Sequence, residues 1–285
     1  MNFPFYIARR YLFSKKKHNA INIISGISVC GVALATLALV CTLSVFNGFQ
    51  DMVASFFTAF DPQLKITVRE GKVFDAQDER IRAVCALPEV EVFTETLEEN
   101  AMVQYKDRQA MVVLKGVEDN FEELTAIDSI LYGAGEFVLH DSIVNYGVMG
   151  VELVATLGTG LEFVDPLQVY LPKRNAKVNM ANPGASFNRD YLYSPGVVFV
   201  VNQQEYDGKY ILTSLDFLRQ LLDYTTEVSA MELKLKSNVN TSSVQSKIEN
   251  ILGDDFVVQN RYQQQADVFR IMEIEKLISY LFLTF

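Results

Sequence analysis

Residues 21–45 read INIISGISVCGVALATLALVCTLSV, and none of these 25 residues carries a charge. A helix rises about 1.5 Å per residue, so this run reaches roughly 37 Å, enough to cross a hydrocarbon core of about 30 Å with some tilt. Lys15, Lys16 and Lys17 stand just ahead of it, and residues 1–50 hold five Lys/Arg and no Asp/Glu. The positive-inside bias therefore predicts a cytoplasmic N-terminus and a chain that emerges beyond Phe46 on the far side. Two other readings of such a run fit poorly. A cleavable signal has an apolar core of about 7–15 residues closed by a small-residue site, whereas Ala33-Leu34-Ala35 falls in the middle of this run. Lipid attachment at Cys30 or Cys41 requires a small residue before the cysteine, and Val29 and Val40 occupy those places. The expected element is a retained transmembrane helix over 21–46.

Gly31, Ala35, Ala38 and Thr42 recur at i, i+4, i+7 and i+11, one stripe of small residues along this helix. Such a stripe lets two membrane helices approach closely, and it is equally the ordinary composition of a span.

Beyond residue 50 the charge balance reverses: 20 Lys/Arg face 35 Asp/Glu, a net of −15. That excludes nucleic-acid binding, which needs basic surface to neutralise phosphates. The roughly 230 residues there suffice for two lobes with their own cores. Cys85 is the single cysteine of this part, so no disulfide forms within it, and packing alone must stabilise it. The only histidines are His18 and His140, and no Cys/His pair has the spacing of a metal site.

The C-terminal end carries a second apolar run. Glu273-Ile274-Glu275-Lys276 precedes LISYLFLTF, nine uncharged residues, and no Gly or Pro follows Gly253. A helix beginning near Gln263 is thus free to run on into a segment too short to span a bilayer. Three readings compete: a truncated second transmembrane helix, a membrane-dipping tail, and an amphipathic helix ending in core residues. The first is favoured because the run is apolar on every face.

Between these ends the pattern is α+β. Strands are expected over 63–69 and 90–94, with a helix over 76–86 between them and a hairpin over 100–105 and 109–115. Strands over 196–201, 228–236 and 256–258 alternate with helices over 214–223, opened by Ser214, and 241–252, opened by Thr241. These two β-α-β-like ends flank a Gly-richer middle, which suggests an inserted lobe. The expected organisation is a cytoplasmic segment (1–20), the first span (21–46) and a membrane-proximal, porter-like lobe built from 47–117 and 196–262. An inserted, sabre-like lobe (118–195) and a stalk helix entering a second, incomplete span (263–285) complete it.

Residues 173–191 (KRNAKVNMANPGASFNRDY) form a long aperiodic stretch between expected strands at 167–171 and 196–201. Loops of this length inside a compact domain are usually functional or disordered. Four basic residues against one acid give it +3, leaving −18 for the rest of the part beyond residue 50. A basic finger on an acidic body suits steered docking to an acidic partner, and such a charge island also serves merely to solvate a hairpin.

More specific features appear in order along the chain: Arg9-Arg10-Tyr11, the uncharged span, then Leu43-Ser44-Val45-Phe46-Asn47-Gly48-Phe49. Gly150-Val151-Glu152-Leu153-Val154-Ala155-Thr156-Leu157-Gly158, Tyr206-Asp207-Gly208-Lys209-Tyr210 and Met272-Glu273 to Lys276 follow. The chain in these respects resembles the permease subunits of lipoprotein-releasing (Lol-type) ABC transporters, within the wider family of mechanotransmission and macrolide-exporter-like permeases. The resemblance implies an integral inner-membrane protein with four spans and a large periplasmic domain between the first two. It implies as partners a cytoplasmic ATPase, which alone binds ATP, a second permease copy or paralogue, a periplasmic lipoprotein carrier and the lipoprotein substrate. Residues 173–191 take the place of the family's hook, which grips the carrier, so Arg174, Lys177, Asn182, Pro183, Phe187 and Arg189 are the expected contacts. Asn47, Gly48 and Phe49 join Gly31, Ala35, Ala38 and Thr42 as expected residues of membrane packing or the substrate path. The loop is richer in Asn and Lys than the family's, and Val164-Asp165-Pro166 replaces its more usual Gly-Asp turn.

No cofactor and no catalysis are expected. The chain lacks the G-x-x-x-x-G-K-[ST] loop that cradles phosphates. His140-Asp141-Ser142 has the residue types of a hydrolase triad, but three adjacent residues cannot aim at one another, and no G-x-S-x-G occurs. The alternatives to lipoprotein release are a related permease that relays motion to a cell-wall hydrolase or drives efflux, and a membrane-anchored binding domain.

Overall fold

The computed structural model describes residues 3–12, 19–54, 60–174, 186–264 and 274. The chain divides into two compact units, of which Phe56–Ala266 holds every strand among the described residues. In the other unit, helix Phe3–Leu12 precedes helix Asn19–Ala54 of 36 residues. Within the latter, Ile23–Val45 is long and apolar enough to cross a membrane, and none of its residues is buried within the chain. The helix continues eight residues past the expected boundary at 46, through Asn47, Gly48 and Phe49 to Ala54.

The strand-bearing unit is organised on one strand. Val90–Tyr105, 16 residues long, pairs along one edge with Arg108–Val117 in a long hairpin turned at Lys106, whose φ is 53°. Its other edge holds two partners end to end, Ala230–Leu235 against its first half and Leu167–Pro172 against its tip. Outward from Ala230–Leu235 follow Leu64–Val68 and then Phe256–Asn260, both antiparallel. On the far side of the hairpin lies Tyr210–Ser214, parallel to Arg108–Val117, and then Val148–Met149. Phe187–Leu192 closes the sheet beyond Leu167–Pro172.

Helices cover one face of this sheet. Glu79–Cys85 and Thr241–Leu252 pack over Leu64, Ile66, Met231, Leu233 and Val258. Val151–Leu157 and Leu215–Leu222 cover Leu97, Val103, Val112, Leu114 and Ile211. The second of these is buried along Leu215, Leu218, Leu221 and Leu222, the three- and four-residue spacing of one helix face. On the opposite face a smaller core gathers Phe60, Phe121, Phe199, Val197 and Leu212.

Several expectations are corrected. The strand expected to stop at 94 runs unbroken to Tyr105, because Thr94 and Thr96 are wholly buried and continue the alternation. Ser214 caps its helix as expected, accepting a hydrogen bond from the Phe217 amide, but the helix expected to start on a Thr241 cap is capped by Asn240. Its side chain accepts from the amides of Ser242 and Ser243, an arrangement worth about 1 kcal/mol. Asp78 caps the first short helix, so that helix starts at Glu79 rather than 76. The stretch 173–191 is not irregular throughout, since Phe187–Leu192 is a strand. Three strands from residues 118–195 join the large sheet: Val148–Met149 pairs with Tyr210–Ser214, Leu167–Pro172 with Val90–Tyr105, and Phe187–Leu192 with Leu167–Pro172. Side chains from residues 97–114 share a core with those from 149–171 and 211–222.

Candidate functional site

The hairpin of Leu167–Pro172 and Phe187–Leu192 has two unlike faces. Leu167, Val169, Leu171 and Leu192 point into the core and are wholly buried. The alternate positions form an outer face on which Tyr170 stands opposite Arg189, Gln168 opposite Tyr191 and Pro172 opposite Phe187. Phe187 is half-buried, while Arg189 and Tyr191 are exposed. Three aromatic rings and a guanidinium on one strand-pair surface are the residue types that dominate protein recognition. Of the residues expected to contact a partner, the structure thus places Phe187 and Arg189 together on this face. Arg174, two residues beyond the Pro172–Phe187 pair, is engaged, its guanidinium 5.0 Å over the Tyr224 ring and 3.7 Å from Glu227. Lys177, Asn182 and Pro183 lie outside the described residues. Tyr170 and Tyr191 were missed as members of this surface. The signal for Tyr170 was present in the period-two alternation of Leu-Gln-Val-Tyr-Leu-Pro over 167–172.

A second feature was not anticipated from sequence. Leu64 starts the strand by which the chain comes into the sheet, and it pairs with Asn260, which ends the last strand. The segments leading in and out of the domain therefore lie side by side. Beneath them, on the sheet face opposite the helices, sits a cluster of charges from four strands. Lys115, 2% exposed, bonds Glu232, 0% exposed, at 2.6 Å. Glu98 lies 3.7 Å from Lys115 and 3.3 Å from Lys65. The Tyr210 hydroxyl donates to Glu98 at 3.4 Å, and that of Tyr206 donates to Asp61 at 3.2 Å. The Lys115 ammonium also lies 5.8 Å over the Phe60 ring and 5.5 Å over that of Phe121.

The electrostatics are mutually dependent. Burial alone would push the Glu98 carboxyl up, but the ammonium groups of Lys65 and Lys115 outweigh it and hold Glu98 below the usual carboxylate range. Burial works against the charge of Lys65, and Glu98 and Glu232 overcome it, holding that ammonium above its ordinary value. The hydroxyls of Tyr206 and Tyr210 are pushed up, first by burial and then by the charges of Asp61 and Glu98 respectively.

The two glycine-bearing motifs singled out in the sequence meet here. Gly150, ahead of helix Val151–Leu157, lies so close to Asp207 that a Cβ would overlap that residue's backbone. Its amide donates to the Tyr210 carbonyl at 3.1 Å, and the buried Asp207 carboxylate accepts from the Val201 amide at 2.9 Å. The contact seats the short helix Gln204–Asp207, and with it Tyr206. Gly158 closes the motif at φ 66°, where Arg108 donates to the Ala155 and Thr156 carbonyls across the helix end.

Along the apolar helix, Gly31, Ala35 and Ala38 are exposed, and the Thr42 hydroxyl donates to the Ala38 carbonyl at 2.9 Å. These four share one face. The three residues of His140-Asp141-Ser142 do not converge. Asp141 accepts from the Ile143 and Val144 amides and from the Tyr146 hydroxyl, while His140 faces Asp119 at 3.0 Å. His140 and Asp119 line a polar cleft of about 330 Å³ together with Glu118, Asp216 and Arg219. Among the described residues, no three His, Cys, Asp or Glu side chains gather as metal ligands.

Residues 25–251 match the family described as the MacB-like periplasmic core domain. The chain is 22% identical over 275 residues to the lipoprotein-releasing system transmembrane protein LolC of Xylella fastidiosa, covering 95% of this chain and 63% of that protein. It is 22% identical over 289 residues to the corresponding LolE of Haemophilus influenzae, covering 99% of this chain and 66% of that protein. It thus spans about two-thirds of the length of these curated relatives. Among solved structures, the periplasmic region of MacB from Actinobacillus actinomycetemcomitans aligns with 72% of this chain and 91% of its own, at 10% identity and a TM-score of 0.47.

Proposed function

The chain belongs to the family of MacB-like periplasmic core domains, and from that premise we propose that it serves as a permease subunit of an ABC transporter that extracts lipoproteins from the inner membrane and hands them to a periplasmic carrier. The observation that carries this reading is the likeness to two lipoprotein-releasing transmembrane proteins over 95% and 99% of the chain. Ile23–Val45 spans the inner membrane with the N-terminus in the cytoplasm, and the sheet-bearing unit stands in the periplasm. Gly31, Ala35, Ala38 and Thr42, with Asn47, Gly48 and Phe49 beyond them, pack against a second permease copy or paralogue or line the substrate path. ATP hydrolysis takes place on a separate cytoplasmic ATPase.

Extraction is costly, since each acyl CH₂ group buried in the bilayer contributes about 0.8 kcal/mol. ATP hydrolysis supplies that work, and the helices transmit it into the periplasmic unit. The outer face of the hairpin, with Phe187 and Arg189, grips the carrier, and Lys177, Asn182 and Pro183 of the intervening sequence assist it. The test is reconstitution of the full-length permease with its ATPase in vesicles holding a fluorescent triacylated protein. ATP-dependent transfer to added carrier is the expected result. An assembled complex that hydrolyses ATP and transfers nothing would refute the reading. Reporters fused at Ser14 and Asn120 test the topology, and finding both on one side of the membrane would refute it.

A further inference from the structure

We infer that the contacts around residues 60–62 form a joint that locks the segment leading into the domain to the segment leading out of it, so that the two move as one. The use of such a joint rests on the permease reading above. Its existence rests on this chain's own contacts.

Segments that join a domain to the rest of a chain usually run exposed over its surface. Here Phe60 and Asp61 are 4% and 3% exposed, as buried as the core. The last strand pair is Leu64 with Asn260, so strand pairing does not hold residues 60–62. Side chains do so instead, and they come from the outgoing segment. Arg261 Nε donates to the Asp61 carbonyl at 2.9 Å, and Gln264 Nε2 donates to the Pro62 carbonyl at 3.1 Å. From a third place in the chain, Tyr206 donates to the Asp61 carboxylate and stacks its ring on Phe60 at 5.0 Å. Phe60 also packs on Phe199 at 4.8 Å.

What lies below explains why the site is polar rather than merely apolar. The Lys115 ammonium sits under the Phe60 ring, and Glu98 holds both Lys115 and Tyr210, whose ring is 5.2 Å from Tyr206. Burying charge is expensive, and oily side chains of the same volume would often be at least as stable. Charges and directed hydrogen bonds do what an oily contact does not, since they fix one position of the segment. A joint of this kind transmits a displacement of residue 60 to residues 261–264 without slippage.

Coupling of this sort is reciprocal: loosening either segment must loosen the other. The test is hydrogen exchange on the full chain in detergent micelles, comparing the parent with Arg261→Ala and Tyr206→Phe. The first alters the outgoing segment alone. The second keeps the ring and removes only its hydroxyl, so it is the variant least liable to unfold the domain. Amides of residues 63–66 and of 259–264 should both exchange roughly two- to tenfold faster in each variant, the loss expected for one hydrogen bond. The helix Thr241–Leu252 and the strand Val90–Tyr105 should be unchanged. Faster exchange confined to 261–264 in Arg261→Ala, or to no segment in either variant, overturns the joint. Equal acceleration in the two control elements overturns it as well, since the contacts would then be ordinary stabilising ones. The readout uses neither lipoprotein, carrier nor ATPase, so its failure is distinct from failure of the transport reading.

Discussion

Replacing Lys115 with Met tests whether the buried ion pair stabilises the domain or only fixes its geometry. At 2.6 Å and an effective dielectric constant of about 20, the attraction between Lys115 and Glu232 is about 6 kcal/mol. Removing two ions from water costs several kcal/mol each, so the pair as a whole contributes little net stability. Breaking it is another matter. Lys115→Met leaves Glu232 fully buried, with one carboxylate oxygen that already has no hydrogen-bond partner. Such losses cost about 3–5 kcal/mol. The lower end applies here, because Lys65, which pairs with Glu232 across adjacent strands, stays beside it.

For a domain of this size each kcal/mol lowers the melting temperature by about 2–4 °C, so Lys115→Met should lose roughly 6–12 °C. Adding Glu232→Leu removes the orphaned charge and leaves Lys65 balanced against Glu98. The double variant should then return to within about 1 kcal/mol of the parent, a coupling energy of at least about 2 kcal/mol. Thermal unfolding followed by circular dichroism measures both, the chain having no tryptophan to serve as a fluorescence probe. The reasoning is refuted if the single change costs less than about 1 kcal/mol, or if the double variant loses the sum of the two single losses.

Gly150→Ala should destabilise the domain toward the upper end of the usual ~1–3 kcal/mol overpacking range, because the new methyl group meets the Asp207 backbone rather than a flexible side chain; chemical denaturation checks it. Stability should also depend on pH at both ends. The part that Glu98 contributes is present above the ordinary carboxylate range and is lost as pH falls through its lowered pKa. The part from Lys65, Tyr206 and Tyr210 is present below about pH 10 and is lost as pH rises through their raised values. Melting temperatures across the pH range should therefore form a plateau from about pH 5 to 9, with an alkaline limb that is shallower in Tyr206→Phe. On the hairpin, Arg189→Glu should slow carrier association and flatten its salt dependence, Phe187→Ala should speed release, and Arg174→Glu should alter neither, since Arg174 rests on Tyr224 and Glu227. Biosensor kinetics separate these outcomes.

What could be read from the chain and what could not follows from where each signal is stored. The apolar helix was legible because its signal is local: 25 consecutive uncharged residues need no partner to be recognised. The strands at 64–68 and 167–172 announced themselves by alternation, and helix Leu215–Leu222 by its Ser214 cap and leucine spacing. The partners of the longest strand were not legible, for the opposite reason. Val90–Tyr105 borders Ala230–Leu235 and Leu167–Pro172 on one edge, and no local pattern tells a strand how many partners it will have. The mistaken cap at Thr241 shows the limit of local rules even where they apply, since Asn240 is as good a cap and stands one residue earlier.

The ionic cluster lies at the far end of that scale. Lys65, Glu98, Lys115 and Glu232 are spread over four strands, and each alone reads as a surface charge on an alternating strand. Nothing near Glu232 in the chain foretells that it is wholly buried. Its counter-ion is 117 residues away, and only the order of strands brings the two together. The glycine motifs occupy the ground between. Gly150 and Asp207-Gly208 each stood in segments that carried the family resemblance, but their shared purpose was not legible there. The absent side chain at Gly150 lets the Asp207 backbone close in, which seats Tyr206 where it can hold Asp61. A requirement for glycine at 150 is thus a requirement set at residue 61, some 90 positions earlier. If so, the defect of Gly150→Ala should be felt first not in the helix it opens but in the amides of residues 63–66, a result that exchange on that variant would show directly.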